Sequence, residues 1–450
     1  MIVRHAGTVL VGQLAVMAFG VADTMIAGRY SDTALAALSV GSAIYISVYV
    51  GLIGIVQALL PIWAEMLGAG KKAAIGRSLR QSLYLCVFIT LAGMAALLFP
   101  GALLRWAKVP TSMLVEVQNY LTVLAFAFAP SILFRLYSTF NQSLGKPMLV
   151  TWLQVGALAV KVPLSIWLVA GGAGVEPMGA VGCAWATLVV NYLLVLLAFV
   201  MLRTQPLYHG FELWRPMERP DLTAISHFAR LGLPGGLAYL VEVTSFTLMA
   251  LFIARLGIEA SAGHQIAASM AAVLYMLPLS MAIACSARVS FWLGAGKPES
   301  AKRVVILGLK LTAAVSIALA VSLLTASSYV ASLYSSNPAI ITIAVSLLGW
   351  VAFYHLADSA QAVCAFLLRS YGVTVAPLLL YGVLLWGLGL YGGYQLTYQG
   401  IAGFAARPEP ASFWTVSTVA LGLVALGFLG LLWRAVNQSQ GSALAKAQNA

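Results

Sequence analysis

Three carboxylic acids interrupt long apolar stretches of this 450-residue sequence. They are Asp23 in GVADTMIAG, Glu242 in AYLVEVTSF and Asp358 in YHLADSAQA. A charged side chain near the centre of a bilayer costs at least about 3 kcal/mol, so such residues usually face a partner or a wet cavity and mark a transport path. The three acids therefore favour ion-coupled transport.

The amino-acid composition indicates that the chain lies in a membrane. Hydrophobic residues make up 61% of the sequence and charged residues 8%. Runs of about 20 apolar residues recur, each long enough to cross the hydrocarbon core as a helix. The ten-residue alternation of a transmembrane barrel is absent from the sequence. We therefore predict an all-α polytopic membrane protein with about twelve transmembrane helices.

The first apolar stretch has no A-x-A-like cleavage site, so it is expected to remain as a membrane helix. The predicted spans lie near residues 8–28, 35–60, 79–100, 117–143, 149–170, 179–202, 228–255, 261–287, 303–325, 339–368, 374–395 and 411–434.

Basic residues between the predicted spans are unevenly distributed. If the N-terminus is cytoplasmic, that side receives most of them, including Lys71, Lys72, Arg77, Arg80 and Arg369. The opposite side receives only Arg29, Arg105, Lys108, Arg255 and Arg407. Because cytoplasmic loops carry the excess of Lys and Arg, both termini are expected in the cytoplasm.

A polar, proline-containing stretch at 203–227 predicts a cytoplasmic linker between two halves. The first half would be residues 1–202, with six spans. The second would be 228–436, with six more, followed by a polar C-terminal tail at 437–450.

The two halves share a short motif. LGAGK occurs at 67–71 and again at 293–297. An even number of spans separates the copies, so the halves are expected to have the same orientation and to be related by an axis along the membrane normal. A phosphate-binding loop would require GK followed by Ser or Thr after a strand, so a tight turn is the better interpretation.

Glu242 and Asp358 form the predicted cation-coupling pair in the second half. Tyr354 and Gln361 stand at i−4 and i+3 from Asp358, on the same helix face. Two carboxylates in a low-dielectric pocket repel each other, so one holds a proton or the pair shares a cation such as Na⁺. The alternative is that each acid only hydrogen-bonds within a kinked helix. Tyr275 can add a hydroxyl or a π-face.

Lys161 lies in an apolar span and needs a buried anion, a wet cavity or room to reach the interface. Asp23 is the intramembrane acid of the same half, so a Lys161–Asp23 ion pair is predicted. The alternative for Asp23 is a solvated position at the membrane surface.

Polar, Met and aromatic side chains suit a cavity that accepts varied hydrophobic compounds, although lipid or core contact is the alternative for each. The residues predicted to line such a cavity are Gln13, Asp23, Phe246, Met249, Gln265 and Gln361. No metal-spaced His/Cys cluster or activated nucleophile is seen, so an enzyme is not expected. No cofactor is expected beyond the coupling ion.

Several segments together resemble the multidrug and toxic compound extrusion (MATE) transporters, especially the NorM-like bacterial branch, over nearly the full length. The segments are GQ at 12–13, ADTMIAG at 22–28, ALAALSVG at 34–41, PIWAEMLGAGK at 61–71, LVEVTSF at 240–246, LYMLP at 274–278, LADSAQAV at 356–363 and LRSYG at 368–372.

This resemblance implies two pseudo-symmetric six-helix bundles around a central cavity in the bacterial cytoplasmic membrane. It implies alternating access and export of lipophilic cationic or amphiphilic drugs and dyes, driven by Na⁺ or H⁺. Glu242, Asp358, Tyr275 and Tyr354 match the family's second-lobe cation site, and Asp23 matches its first-lobe acid. The expected partners are these small molecules and membrane lipid, without nucleic acid, for a monomeric transporter. A flippase for a lipid-linked precursor is the alternative, followed by a channel.

The chain departs from the family at one notable place. Lys161 and Ser165 stand where members with a first-lobe cation network have asparagines. Whether Asp23 binds cation or substrate, or only pairs with Lys161, is left open by the sequence.

Overall fold

The computed structural model describes residues 2–101, 104, 113–172, 174–400, 403 and 405–448, with backbone alone from 442 onward. This part of the chain is almost entirely helical, and twelve of its helical segments are long and apolar enough to cross a membrane. The predicted all-α polytopic fold is therefore confirmed. Arg105 and Lys108, used above for orientation, lie outside the described residues.

The helices of the first half of the chain are α1 (Ile2–Tyr30), α2 (Asp32–Gln57), α3 (Leu59–Gly68), α4 (Lys72–Leu98), α5 (Leu114–Ser143), α6 (Met148–Ala170) and α7 (Ala180–Thr204). Those of the second half are α8 (Leu222–Ala254), α9 (Ile258–Gly294), α10 (Pro298–Tyr334), α11 (Pro338–Ser370), α12 (Val375–Tyr381), α13 (Gly393–Tyr398) and α14 (Pro410–Gln448). A 3₁₀ helix covers Pro206–Phe211, and a π-helix, Gly382–Gly392, joins α12 to α13. The residues predicted as a polar tail continue α14 as far as Gln448.

The chain divides into two compact units. The N unit is Gly7–Gly236, and the C unit is Met1–Ala6 together with Leu237–Ala450. The division falls inside α8, whereas the sequence placed it in the linker at 203–227. That linker belongs to the N unit because its own side chains pack there.

Aromatic packing holds one end of the N unit together. The Trp63 indole donates a 2.9 Å hydrogen bond to Ser78 and meets the Phe140 ring edge-on at 5.6 Å. Phe140 also packs against Tyr208 and Phe211 of the 3₁₀ helix, at 6.0 and 5.5 Å. Tyr208 and Phe211 are both buried, which fixes the linker onto the helices before it.

We call residues 206–221 the strap, because they run along α4. Arg80 donates two hydrogen bonds to the Glu218 carboxylate, at 2.8 and 2.5 Å, and a third to the Glu212 carbonyl at 2.6 Å. Gln81 donates to the Arg219 carbonyl, and the Tyr84 hydroxyl donates to the Glu218 carbonyl. Arg80, placed among loop charges by the sequence, is therefore a buried anchor for the strap.

The two LGAGK motifs end helices in the same way. Gly70 and Gly296 have φ values of 74° and 68°, in the left-handed region where glycine avoids a Cβ clash. The Lys71 amide then donates to the Met66 carbonyl at 3.0 Å, and the Lys297 amide donates to the Trp292 carbonyl at 2.9 Å. These turns close the helix ends with glycine-based caps, as the tight-turn interpretation predicted.

Replacing Glu218 by glutamine is expected to loosen the strap, because the buried Arg80 guanidinium loses its anion. The hydrogen-bonded guanidinium lowers the pKa of Glu218 from 4.5 to about 2. The stabilisation should therefore be complete above about pH 4.5 and disappear as the pH falls towards about 2. Melting temperatures of wild type and Glu218→Gln in detergent should differ by a few degrees at pH 7 and converge at low pH.

Glu212→Gln is the matched control, since within the described residues its carboxylate makes one ion pair, with Arg215 at 3.1 Å on the surface. Exposed pairs of this kind contribute little. An equal loss of stability in the two variants would show that the strap is not held by the Arg80–Glu218 contact.

Candidate cation and substrate sites

One face of α8 lines a cavity in the C unit. Glu242, Ser245, Phe246 and Met249 recur at helical spacing and so point the same way. They line a cavity together with Tyr354, Leu385, Leu390 and Ser417. The Ser245 hydroxyl is buried and makes no hydrogen bond within the described residues. An acid and an unused hydroxyl thus lie within an otherwise mainly apolar and aromatic wall.

Asp358 stands on α11 and is fixed by a short relay of side chains. The Tyr381 hydroxyl donates to the Gln361 carbonyl oxygen, and the Gln361 amide donates to Asp358 Oδ1 at 2.8 Å. Glu242 interacts electrostatically with Asp358, and Tyr275 interacts with both acids. The structure thus brings together the four residues predicted for cation coupling. Gln361, predicted to line the cavity, instead orients Asp358.

Three aromatic rings form one side of the cavity region. Phe246, Tyr354 and Trp414 pack edge to face, with ring centroids 5.5 to 6.1 Å apart. The Trp414 indole donates to His264 Nδ1 at 3.2 Å, which fixes Nδ1 as an acceptor. Sequence reasoning missed Trp414, because a tryptophan near the start of an apolar span carries no signal that separates packing from function.

The π-helix supplies Leu385 and Leu390 to the cavity wall. The wider π turn is rare in proteins and often accompanies functional sites. Its residues in the sequence, GVLLWGLGLYG, are apolar and lack a pattern that distinguishes a π-helix from an α-helix.

Arg369 is a second residue that sequence reasoning missed. It was counted among cytoplasmic loop charges, but it is buried at the end of α11. Its guanidinium lies 5.2 Å from the Tyr239 ring and 4.8 Å from the Phe366 ring, and Nη1 makes no hydrogen bond within the described residues. Tyr239 is one helical turn from Glu242, so this fixed cation lies in the neighbourhood of the acid and interacts with it electrostatically.

A separate polar site lies in the N unit. Lys161 Nζ is 2.5 Å from Asp23 Oδ2 and donates to the Thr187 hydroxyl at 2.9 Å. The Ser165 hydroxyl donates to Asp23 Oδ1 at 3.2 Å. Asp23 and Lys161 are 8% and 1% exposed, so the ion pair is enclosed rather than solvated. Thr187, not predicted from the sequence, completes the surroundings of the ammonium.

Two predicted cavity residues lie elsewhere. Gln13 lines a separate polar cavity with Gln142, Thr151 and Gln154 in the N unit. Gln265 is exposed beside the α8–α9 turn and lines a separate pocket with Ser261 and Ala262 rather than the Glu242 cavity.

The cavity suits a hard, oxygen-ligated cation or a proton. Carboxylate and hydroxyl oxygens are the ligands that such ions take. Among the described residues, no group of three or more His, Cys, Asp or Glu could hold a metal ion.

Comparison with known proteins identifies a family pattern along most of the chain. The MatE family profile matches residues 9–167 and 234–394. A probable multidrug resistance protein NorM of Aromatoleum aromaticum is 38% identical over 432 residues, covering 95% of this chain and 92% of that protein. The multidrug resistance protein PmpM of Pseudomonas aeruginosa is 30% identical and covers 92% and 87% of the two chains.

Solved structures show the same fold. The eukaryotic MATE transporter AtDTX14 superimposes with a TM-score of 0.85 at 18% identity, covering 98% of both chains. A MATE family transporter in an outward-facing conformation gives a TM-score of 0.87 at 16% identity, covering 98% of this chain and 96% of that one.

Breaking the Lys161–Asp23 pair should be costly. Removing either partner leaves a buried unpaired charge and should destabilise the protein by about 3–5 kcal/mol, whereas neutralising both should cost less. Melting temperatures of Asp23→Asn, Lys161→Met and the double variant give a thermodynamic cycle for the pair.

Ser165→Ala is the control, because it removes one hydrogen bond and leaves the ion pair intact, at a cost of about 1 kcal/mol. Purely additive losses in the cycle would show that Asp23 and Lys161 do not stabilise each other.

Proposed function

The chain belongs to the MatE family, and from this we propose that it is a multi-pass membrane transporter that exports lipophilic organic cations in exchange for inward-moving Na⁺ or H⁺. The multidrug-resistance names of its bacterial relatives support drug export. We place it in the bacterial cytoplasmic membrane with both termini in the cytoplasm, following the distribution of basic residues.

The observation that carries this proposal is the position of Glu242 on the wall of a cavity, with Asp358 near enough to repel it. Two such carboxylates do not both remain charged without a proton or a cation to neutralise them. The site therefore has states that differ by one bound cation. If the two transport conformations differ in affinity for that cation, its binding favours one conformation and couples cation entry to drug release.

The cavity wall indicates the class of drug. Phe246 and Tyr354 offer aromatic faces, which attract organic cations, and Met249 offers an adaptable thioether. Glu242 adds a negative charge. A flat lipophilic cation can satisfy the aromatic and acidic groups together, whereas an organic anion meets the charge of Glu242 unfavourably.

Glu242→Gln and Asp358→Asn should each reduce gradient-driven dye efflux by about tenfold or more, because each removes a group that binds the coupling cation. Reconstituted proteoliposomes with Na⁺ and H⁺ gradients imposed separately measure this and identify the ion.

Glu259→Gln is the matched control, an exposed acid at the start of α9 in the same unit. It should transport normally. Wild-type efflux in both amide variants would contradict the coupling assignment, and substrate flux without counterflow of a cation would indicate a channel.

Transport should prefer cations over anions of similar size and hydrophobicity. Competition against efflux of a fluorescent cation should show inhibition at least about tenfold stronger by a lipophilic cation than by its neutral or anionic analogue. The preference should weaken in Glu242→Gln. Stronger inhibition by the anion would contradict the proposed substrate class.

A further inference from the structure

The ammonium of Lys161 is surrounded as a bound cation would be. It contacts Asp23 Oδ2 at 2.5 Å and Thr187 Oγ1 at 2.9 Å, and it lies 5.5 Å from the centroid of the Phe19 ring. An ammonium has three hydrogen-bond donors, and a carboxylate, a hydroxyl and a π-face together satisfy it. The side chain is 2% exposed, so water contributes little.

Asp23 is correspondingly occupied. One carboxylate oxygen receives the ammonium and the other accepts a hydrogen bond from Ser165 at 3.2 Å. The positive charge beside it belongs to a side chain of the same unit and cannot leave. A free cation could reach Asp23 only by displacing Lys161, which would leave the ammonium buried without an anion.

The C unit presents the opposite arrangement. Glu242 lines a cavity, and Arg369, the basic group that interacts with it, lies against two aromatic rings and makes no ion pair within the described residues. Its carboxylate is therefore accessible to a cation that enters and leaves. The intramembrane acids of the two units thus differ in their counter-charge. That of Asp23 is a side chain and stays in place, whereas a cation at Glu242 could enter and leave.

We propose that Lys161 is a resident cation that fills the Asp23 site, so that Asp23 binds no exchangeable metal cation and coupling takes place at Glu242 and Asp358. The assignment of coupling to the C unit rests on the proposed function. The assignment of Lys161 rests on its own contacts and is tested separately.

Equilibrium binding of radiolabelled Na⁺ to the purified full-length chain in nanodiscs tests the assignment. All variants are made in a chain that also carries Glu242→Gln and Asp358→Asn. These two changes remove the acids of the C unit, so that Na⁺ binding at Asp23 can be measured. With Lys161 present, Asp23→Asn should leave bound Na⁺ unchanged. Lys161→Asn in this background should raise bound Na⁺ by at least about tenfold, and adding Asp23→Asn should abolish the gain.

Lys161→Arg is the conservative control, since it keeps the positive charge and should show no gain. Na⁺ binding that depends on Asp23 while Lys161 is intact would overturn the proposal, as would a folded Lys161→Asn variant without any gain. If Lys161→Asn does not fold, the comparison of Asp23 with Asp23→Asn in the chain that keeps Lys161 still tests the proposal. Na⁺ binding that depends on Asp23 in that chain overturns the proposal, and the absence of such binding supports it.

The same measurement separates this proposal from the proposed function. If the C unit couples to H⁺ or does not couple, the otherwise wild-type chain binds no Na⁺ at Glu242 and Asp358. The gain on replacing Lys161 is then still expected, because it depends on Asp23 alone.

Discussion

The free energy needed to bring a charged side chain into the hydrocarbon core governs how this chain is built. A carboxylate there requires a counter-charge, a proton or water, and the two units meet the requirement differently. In the N unit, Asp23 receives a permanent ammonium from Lys161. In the C unit, Glu242 faces a cavity beside Asp358, and its neutralisation depends on what enters. The intramembrane acid of the N unit thereby has a fixed counter-charge, whereas that of the C unit has none of this kind among the described residues.

Because Glu242 has no permanent counter-charge like that of Asp23, the side chains around it determine how its charge is balanced. The Tyr381–Gln361–Asp358 relay orients one acid, and the rings of Phe246, Tyr354 and Trp414 hold the cavity wall in place. Buried Arg369 interacts electrostatically with Glu242 and, under the proposed function, would oppose cation binding there by repulsion. Affinity at such a site is a balance between two carboxylates and one guanidinium. A moderate affinity would suit the proposed exchange of a cation at this site.

Much of the fold could be predicted from the sequence, because span length and apolar composition are set by the bilayer rather than by details of packing. The Lys161–Asp23 contact could also be anticipated, since a buried ammonium needs an anion and Asp23 was available in the same half. The position of Gln265 could not be anticipated, because its sequence segment does not reveal which cavity a helix face meets. Arg369 and Arg80 were read as loop charges because sequence position cannot distinguish a helix end in solvent from one covered by other side chains.

The strap has a consequence for the order in which the molecule is made. Its partners on α4, including Arg80, Gln81 and Tyr84, all precede it in the chain, and the strap ends at residue 221. By the time Glu218 leaves the ribosome, every group that it contacts has already been synthesised. Because domains generally fold as units during synthesis, the N unit can secure its own helices while most of the C unit is still unmade. The strap contacts can therefore stabilise the first half of the chain before the second half has been synthesised.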